Sequence, residues 1–390
     1  MTSLTDVPSF KNYLPVRIEF GPGCLSKLAD VLITENCTHV FVIADPVVLT
    51  LPSVTEALES VSSRIAEIAH VAPGEPTLEG VDDMGARLRL SGADAVVAIG
   101  GGSALDTAKG ARLLLANPGS IRDYAWPGEP KPVAPPAILL VTVPTTAGTG
   151  SEVTGGVVMT DIGKNAKVAA PSPHNRAQYC FVDPELTLSL PPGPTMWGGL
   201  DALGQAIGSI IAKVHTPVGD GLALEAIRLA TVALPRALLN PGDLAARTDL
   251  SCAALLAGLA MNVSEAGTEH SLAHPLGSLH HLPHGLTVGL MLAESMDHDR
   301  RYEPQRFERI ADAMKAADDG TTDGSRAVAA VRALLALVSC PTLGDSGVRQ
   351  EHVPALVESA LTGWIPVEPG PWTSDDIVHA YTTALAITRR

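Results

Sequence analysis

Aromatic residues are scarce in this 390-residue chain: Phe, Trp and Tyr together make up 4 %. With hydrophobic residues at 46 %, the interior has to be filled by Ala, Val, Leu and Ile, as in helices that cover a buried parallel sheet. The five cysteines, Cys24, Cys37, Cys180, Cys252 and Cys340, are odd in number and scattered, without a C-x-x-C pair. Neither a disulfide framework nor a zinc knuckle is expected, and a reducing cytoplasm fits them. Basic residues are in deficit, 27 Lys plus Arg against 42 Asp plus Glu, for a net charge of −15. Nucleic acid and anionic lipid are therefore poor partners, and an anionic cofactor has to be held by local backbone N–H groups. No stretch offers 18 uninterrupted apolar residues, and "MTSLTDVPSFKNYL" lacks a basic segment followed by an apolar run, so neither membrane insertion nor export is expected.

The length exceeds what one hydrophobic core usually organises, which predicts two domains. In the first half, "HVFVIAD" (39–45), "ADAVVAIGGG" (93–102) and "AILLVTVPTT" (137–146) read as buried strands bounded by Gly, Pro or Asp. Residues 53–69 and 78–92 carry apolar side chains three and four apart and read as helices. That alternation predicts an α/β domain over residues 1–190 with a doubly wound parallel sheet. At "LSLPPGP" (188–194) the pattern breaks, and an all-helical domain is expected over 191–390, with helices near 196–214, 219–238 and 244–262. The Pro- and Gly-rich "IPVEPGPWT" (365–373) reads as a loop before a last helix, and no fixed-period repeat is present.

Three stretches of the first half suit a ligand. In "VVAIGGGSALDTAKGARLL" (96–114) a strand runs into Gly100, Gly101, Gly102 and Ser103 and then a helix. Glycines without a Cβ let a diphosphate approach the backbone, and the free N–H groups of a helix start bind its oxygens. The same residues also suit an ordinary tight turn, and they do not form a G-x-G-x-x-G fingerprint. Asp45 ends an earlier strand, where a carboxylate binds ribose hydroxyls and repels a 2′-phosphate, favouring NAD over NADP. It equally suits a helix N-cap before Pro46. "VPTTAGTGSEVT" (143–154) gathers Thr145, Thr146, Thr149 and Ser151 after a strand, either as a polar pocket at the sheet's carboxyl edge or as a plain loop.

Five of the twelve histidines fall in "HSLAHPLGSLHHLPHG" (270–285). His270 and His274 share one helical face, Pro275 and Gly277 are expected to bend or end that helix soon after, and His284 follows Pro283 in a turn. Asp201, on the apolar "GGLDALGQAIG" (198–208) and one turn before Gln205, needs a counter-charge, because an unpaired buried carboxylate costs several kcal/mol. A divalent cation held by Asp201, His270 and His284 answers both needs. The blander readings are Asp201 as an N-cap after Gly198 and Gly199, and His280 and His281 as solvent-facing.

These motifs, with "FGPG" near the start and "VDPELTLSLPP" (182–192), occur in the order and spacing of the iron-containing, or group III, alcohol dehydrogenases, which the chain resembles over nearly its whole length. The resemblance implies a dehydroquinate synthase-like fold: a dinucleotide-binding α/β domain, an all-α domain and a metal in the cleft between them. It implies metal ligation by Asp201, His270 and His284, with Gln205 where the family has a further His. A Gln oxygen is a weaker donor than imidazole, so iron or zinc is bound weakly, or His280 or His281 moves in, or no metal is used. Cofactor contacts are implied for Asp45, Gly100, Gly101, Gly102, Ser103, Asp106, Thr145, Thr146, Thr149 and Lys167, and a place beside the reacting carbon for His274. The expected activity is NAD(H)-dependent interconversion of an alcohol and its aldehyde or ketone, by a homo-oligomer such as a dimer. A metal-independent reductase of the maleylacetate reductase type and a non-catalytic nucleotide-binding relative are the alternatives.

Overall fold

The computed structural model describes residues 10–72, 74–164 and 166–387. The chain divides into two compact units, Pro15–Leu190 and Pro191–Arg390, and residues 10–14 group with the second.

The first unit contains β1 (Arg17–Phe20), α1 (Leu28–Thr34), β2 (Val40–Ala44), α2 (Pro52–Ser60), β3 (Ile65–His70), α3 (Leu78–Ser91), β4 (Ala95–Gly100), α4 (Gly102–Ala116), β5 (Leu139–Pro144), β6 (Val158–Asp161), β7 (Ala166–Ala169) and β8 (Tyr179–Val182). Six strands pair in the order β1-β8-β5-β4-β2-β3, all parallel. Val40, Val42, Ala95, Val97, Ile99, Val141 and Val143 face a core shared with Leu28 and Leu32 of α1 and Val54 of α2. The alternate residues Phe41, Ile43, Val96, Ala98 and Leu140 face Met84 and Leu88 of α3 and Leu105 of α4. Both faces being covered, the central strands are apolar throughout, as a parallel sheet requires.

The chain runs from β2 outward to β3 and then returns to place β4 on β2's other side. The strand order thus reverses between β2 and β4, which opens a crevice at their carboxyl ends.

Residues 53–69 are not one helix. The helix ends at Ser60, and 65–69 belong to edge strand β3, whose alternate residues Ala66, Ile68 and His70 are exposed. Ile65 and Ala69 are four apart as well as two pairs apart, so the sequence satisfies both periods and only pairing with β2 decides. The antiparallel hairpin β6–β7 is a second feature outside the expected alternation.

The second unit contains α5 (Pro192–Ile211), α6 (Pro217–Leu239), α7 (Leu244–Met261), α8 (Thr268–His280), α9 (His284–Asp299), α10 (Pro304–Ala313), α11 (Ser325–Leu337), α12 (Val353–Thr362) and α13 (Ser374–Ala386), with no strand among its described residues. Pro192 and Pro194 occupy the first turn of α5, where no intrahelical N–H bond is lost. By length and composition α7 could span a bilayer, but more than half of it is buried in the fold and it carries Arg247 and Asp249.

Pro275 and Gly277 lie inside α8, which ends soon after them at His280, with His281 in the left-handed region (φ 55°). An interior proline costs about 3 kcal/mol, and burying Leu272 and Leu276 on either side returns about 1.5–3 kcal/mol each. Packing outweighs the breaker.

Candidate functional site

At the crevice of the first unit, the chain reversals after β2, β4 and β5 meet. The Asp45 N–H donates to the Ile99 carbonyl at 3.1 Å and the Thr145 N–H to the Gly100 carbonyl at 3.0 Å. Gly100 has φ +151°, a conformation side chains rarely adopt, and a Cβ there would lie 2.7 Å from that of Ala104. A Cβ on Gly102 would lie 2.7 Å from Thr149 Cγ2, and one on Gly101 3.3 Å from Thr146 Cγ2. The glycine turn and the threonine loop therefore touch, which spacing in the sequence could not establish. Gly101 is the N-cap of α4 and no side chain caps the helix, so the amides of Gly102 and Ser103 face the crevice as a ready anion site.

Asp45 stands half-buried beside this turn, and its Oδ1 accepts from the Val47 N–H at 2.9 Å. Asp45 is therefore not a helix N-cap: the next helical turn starts at Val48 with Val47 as its N-cap, and Pro46 lies in the turn between, so the carboxylate closes a local turn through one oxygen and also borders the crevice. Asp106 is engaged within the unit itself. Its Oδ1 accepts from Ser151 Oγ at 2.5 Å and pairs with Lys109 at 2.8 Å, while its Oδ2 accepts from the Val158 N–H at 2.9 Å. Lys109 in turn donates to the carbonyls of Ser151 and Gly156 at 3.0 and 2.5 Å. This buried pair clamps the 145–156 loop onto α4. Lys167 lies on β7 of the hairpin, with its ammonium 2.6 Å from Glu75 Oε1. Glu152, inside the clamped loop, is fully buried, and burial pushes its carboxyl up to about 7 against the opposing charge of Lys109.

In the second unit two close approaches build a polar centre. A Cβ on Gly285 would fall on the carbonyl of Trp197, so this glycine lets the start of α9 rest on the backbone of α5. A Cβ on Gly208 would fall on the Gly267 backbone, which lets α8 enter against the same helix. Asp201, in the interior of α5 and not at its N-cap, is thereby brought to His270, in the first turn of α8, and His284, the first residue of α9 and not a turn residue.

Asp201 Oδ1 stands 3.6 Å from His270 Nε2 and 3.6 Å from His284 Nε2. Ligand atoms of the three residues all lie within 4.8 Å of one another. The His270, His274 and His284 ring centroids are 5.4–6.4 Å apart, so His274 borders the same point from the next turn of α8. Gln205 is buried one turn beyond Asp201. His280 stacks on His352 at 4.7 Å and His281 is exposed, so neither joins the set.

This donor set fits a divalent cation. Tetrahedral ligands about 2.1 Å from an ion are roughly 3.4 Å apart, close to the 3.6 Å between Asp201 Oδ1 and each imidazole nitrogen. Asp201 Oδ1 is buried without a hydrogen-bond partner, a state a cation would relieve. Around His270, burial by itself would depress the imidazole pKa, but the carboxylates Asp201 and Glu269 carry it up to about 9.

Glu269 was not anticipated. It is completely buried, with Oε1 2.8 Å from His270 Nδ1. Adjacent helical residues point about 100° apart and rarely face each other, so the sequence disfavours the contact. The signal available was an acid in "GTEHSLAH" with no Lys or Arg anywhere from 248 to 299 to pair with it.

A family model described as iron-containing alcohol dehydrogenase matches residues 15–184, and one for the C-terminal part of that family matches 195–385. The chain is 32 % identical to long-chain-alcohol dehydrogenase 1 of Geobacillus thermodenitrificans, covering 96 % of both proteins. It is 31 % identical to lactaldehyde reductase of Escherichia coli, over 94 % of this chain and 97 % of that one. Among solved structures, sulfoacetaldehyde reductase from Bifidobacterium kashiwanohense in complex with NAD+ superposes with a TM-score of 0.89 at 27 % identity, over 98 % of this chain and 100 % of that one.

Proposed function

Because the chain belongs to the iron-containing alcohol dehydrogenase family, we propose that it interconverts an alcohol and its aldehyde or ketone with NAD(H), using a divalent cation at Asp201, His270 and His284. The observation that carries this reading is the convergence of one carboxylate and two imidazoles, each from a different helix, within 4.8 Å.

When bound, the dinucleotide supplies or takes the hydride and the cation supplies Lewis acidity toward the substrate oxygen. The amides of Gly102 and Ser103, together with Thr145, Thr146 and Thr149, cradle the diphosphate, and Asp45 receives the ribose hydroxyls. Asp106 holds the threonine loop in place through Lys109 and Ser151. His274 exchanges the substrate hydroxyl proton at a ring nitrogen, an assignment supported by its place beside His270 and His284 and by imidazole titrating near neutral pH.

Gln205 makes this a weak site. Its amide oxygen is a poorer donor than imidazole, and with zinc or ferrous ion the protein exchanges its metal readily. That same residue is what favours a metal-free reductase as the second reading. NADH oxidation with a panel of aldehydes, before and after chelation and on adding back Zn2+ or Fe2+, separates them. Activity lost and restored supports the cation, while activity unchanged by exhaustive chelation, with no metal in elemental analysis, overturns it. A reducing, cytoplasmic setting is supported by the five free cysteines, and a homodimer completes the reading, checked by sedimentation.

A further inference from the structure

We propose that Glu269 is the outer carboxylate of the Asp201 centre, a positioning residue that orients His270 and adds a second negative charge behind it. The inference rests on the cation reading above.

The carboxylate occupies a slot made for it. A Cβ on Gly208 would lie 2.9 Å from Glu269 Oε1, and one on Gly267 would collide with Oε2, so side chains at either position would close the space. Within the slot Oε1 meets His270 Nδ1 at 2.8 Å and accepts from the Gly267 N–H at 3.2 Å. With Nδ1–H donating to Glu269, the lone pair of His270 is left on Nε2, the nitrogen that faces Asp201. A carboxylate on the far nitrogen fixes the tautomer and makes the near one a stronger donor.

Charge supports the same assignment. Glu269 Oε2 and Asp201 Oδ1 are both buried without a hydrogen-bond partner. Two such oxygens flank one imidazole, His270, whose Nδ1 meets Glu269 and whose Nε2 faces Asp201. The start of α8 favours a negative side chain, which explains Glu269 as a helix-terminal residue but leaves Oε2 uncompensated. A divalent cation one imidazole away supplies what the helix end does not. With Gln205 contributing no strong donor, the extra carboxylate also offsets part of the affinity lost there.

The test is competition of the protein with a fluorescent chelator for Zn2+, using native protein, Glu269→Gln and Asp201→Ala. Glu269→Gln retains an oxygen that accepts from His270 and Gly267 and removes only the charge. Zn2+ affinity is expected to fall roughly 10- to 100-fold, with NADH affinity unchanged. Native affinity in Glu269→Gln, with Asp201→Ala impaired, overturns this inference alone. Equal affinity in native and Asp201→Ala overturns the cation reading and this inference with it. Should Glu269→Gln not fold, 15N imidazole NMR of native Zn2+-loaded protein decides. A His270 Nδ1–H proton strongly deshielded by a carboxylate is expected, and its absence overturns the proposal.

Discussion

Gly285 rests on the carbonyl of Trp197, and that contact sets His284 beside Asp201. A methyl there has to push α9 away from α5 through backbone, which cannot yield as a side-chain tip can. Gly285→Ala should therefore cost about 1–3 kcal/mol of stability by overpacking. It should also weaken Zn2+ binding and leave NADH affinity unchanged, since the glycine turn belongs to the other unit. Thermal melts and the two titrations check this, and unaltered Zn2+ binding would mean that the approach of α9 does not set the site.

Restoring a fourth imidazole should strengthen the centre. Gln205→His is expected to raise Zn2+ affinity roughly tenfold or more, because a nitrogen donor replaces an amide oxygen at the same turn of α5. Dialysis against a chelator followed by metal analysis gives the comparison, and equal metal retention in the two proteins counts against Gln205 as a ligand position.

Asp45 predicts cofactor preference. Like charges about 4 Å apart repel by about 1 kcal/mol in water-like surroundings and about 4 kcal/mol near a protein surface, so Asp45→Gly should raise NADPH use relative to NADH by tenfold or more. The ratio of kcat/KM values measures it. Equal use of both cofactors by the native protein would remove the basis of the assignment.

Glu152 predicts a pH dependence of stability. Its folded pKa, about 7, exceeds the 4.5 of a free carboxyl. Between these values the folded protein holds a proton that the unfolded chain has released. The associated stability is complete below pH ~4.5 and is lost as pH rises through ~7. Glu152→Gln keeps the shape without the charge, and at pH 8 it should be more stable than native protein by on the order of 3 kcal/mol. The two should converge near pH 4.5 in urea unfolding, and a constant gap across that range would exclude Glu152 as the source.

What the sequence by itself determined is what repeats locally. The apolar runs of β2, β4 and β5 declare strands covered on both faces, and the prolines at 191–194 mark where the all-helical unit starts. Asp201 stood out because a carboxylate in an apolar helix is costly and needs a reason, and His270 and His284 because histidines crowd that one stretch, while the parts of Gln205 and His274 were implied by the family resemblance. Tertiary structure decided the rest. Residues 65–69 satisfy two periods, and only a neighbouring strand makes them β3. Pro275 and Gly277 break isolated helices, yet α8 continues because buried Leu272 and Leu276 outweigh the lost backbone bond. Asp106 pairs with Lys109 and Ser151 and Lys167 with Glu75, partners three to ninety-two residues away in the chain. Glu269 turns toward its immediate neighbour because two glycines, Gly208 and Gly267, leave one slot open for its carboxylate. Such choices depend on which surfaces meet, and a one-dimensional pattern does not contain the distances between helices.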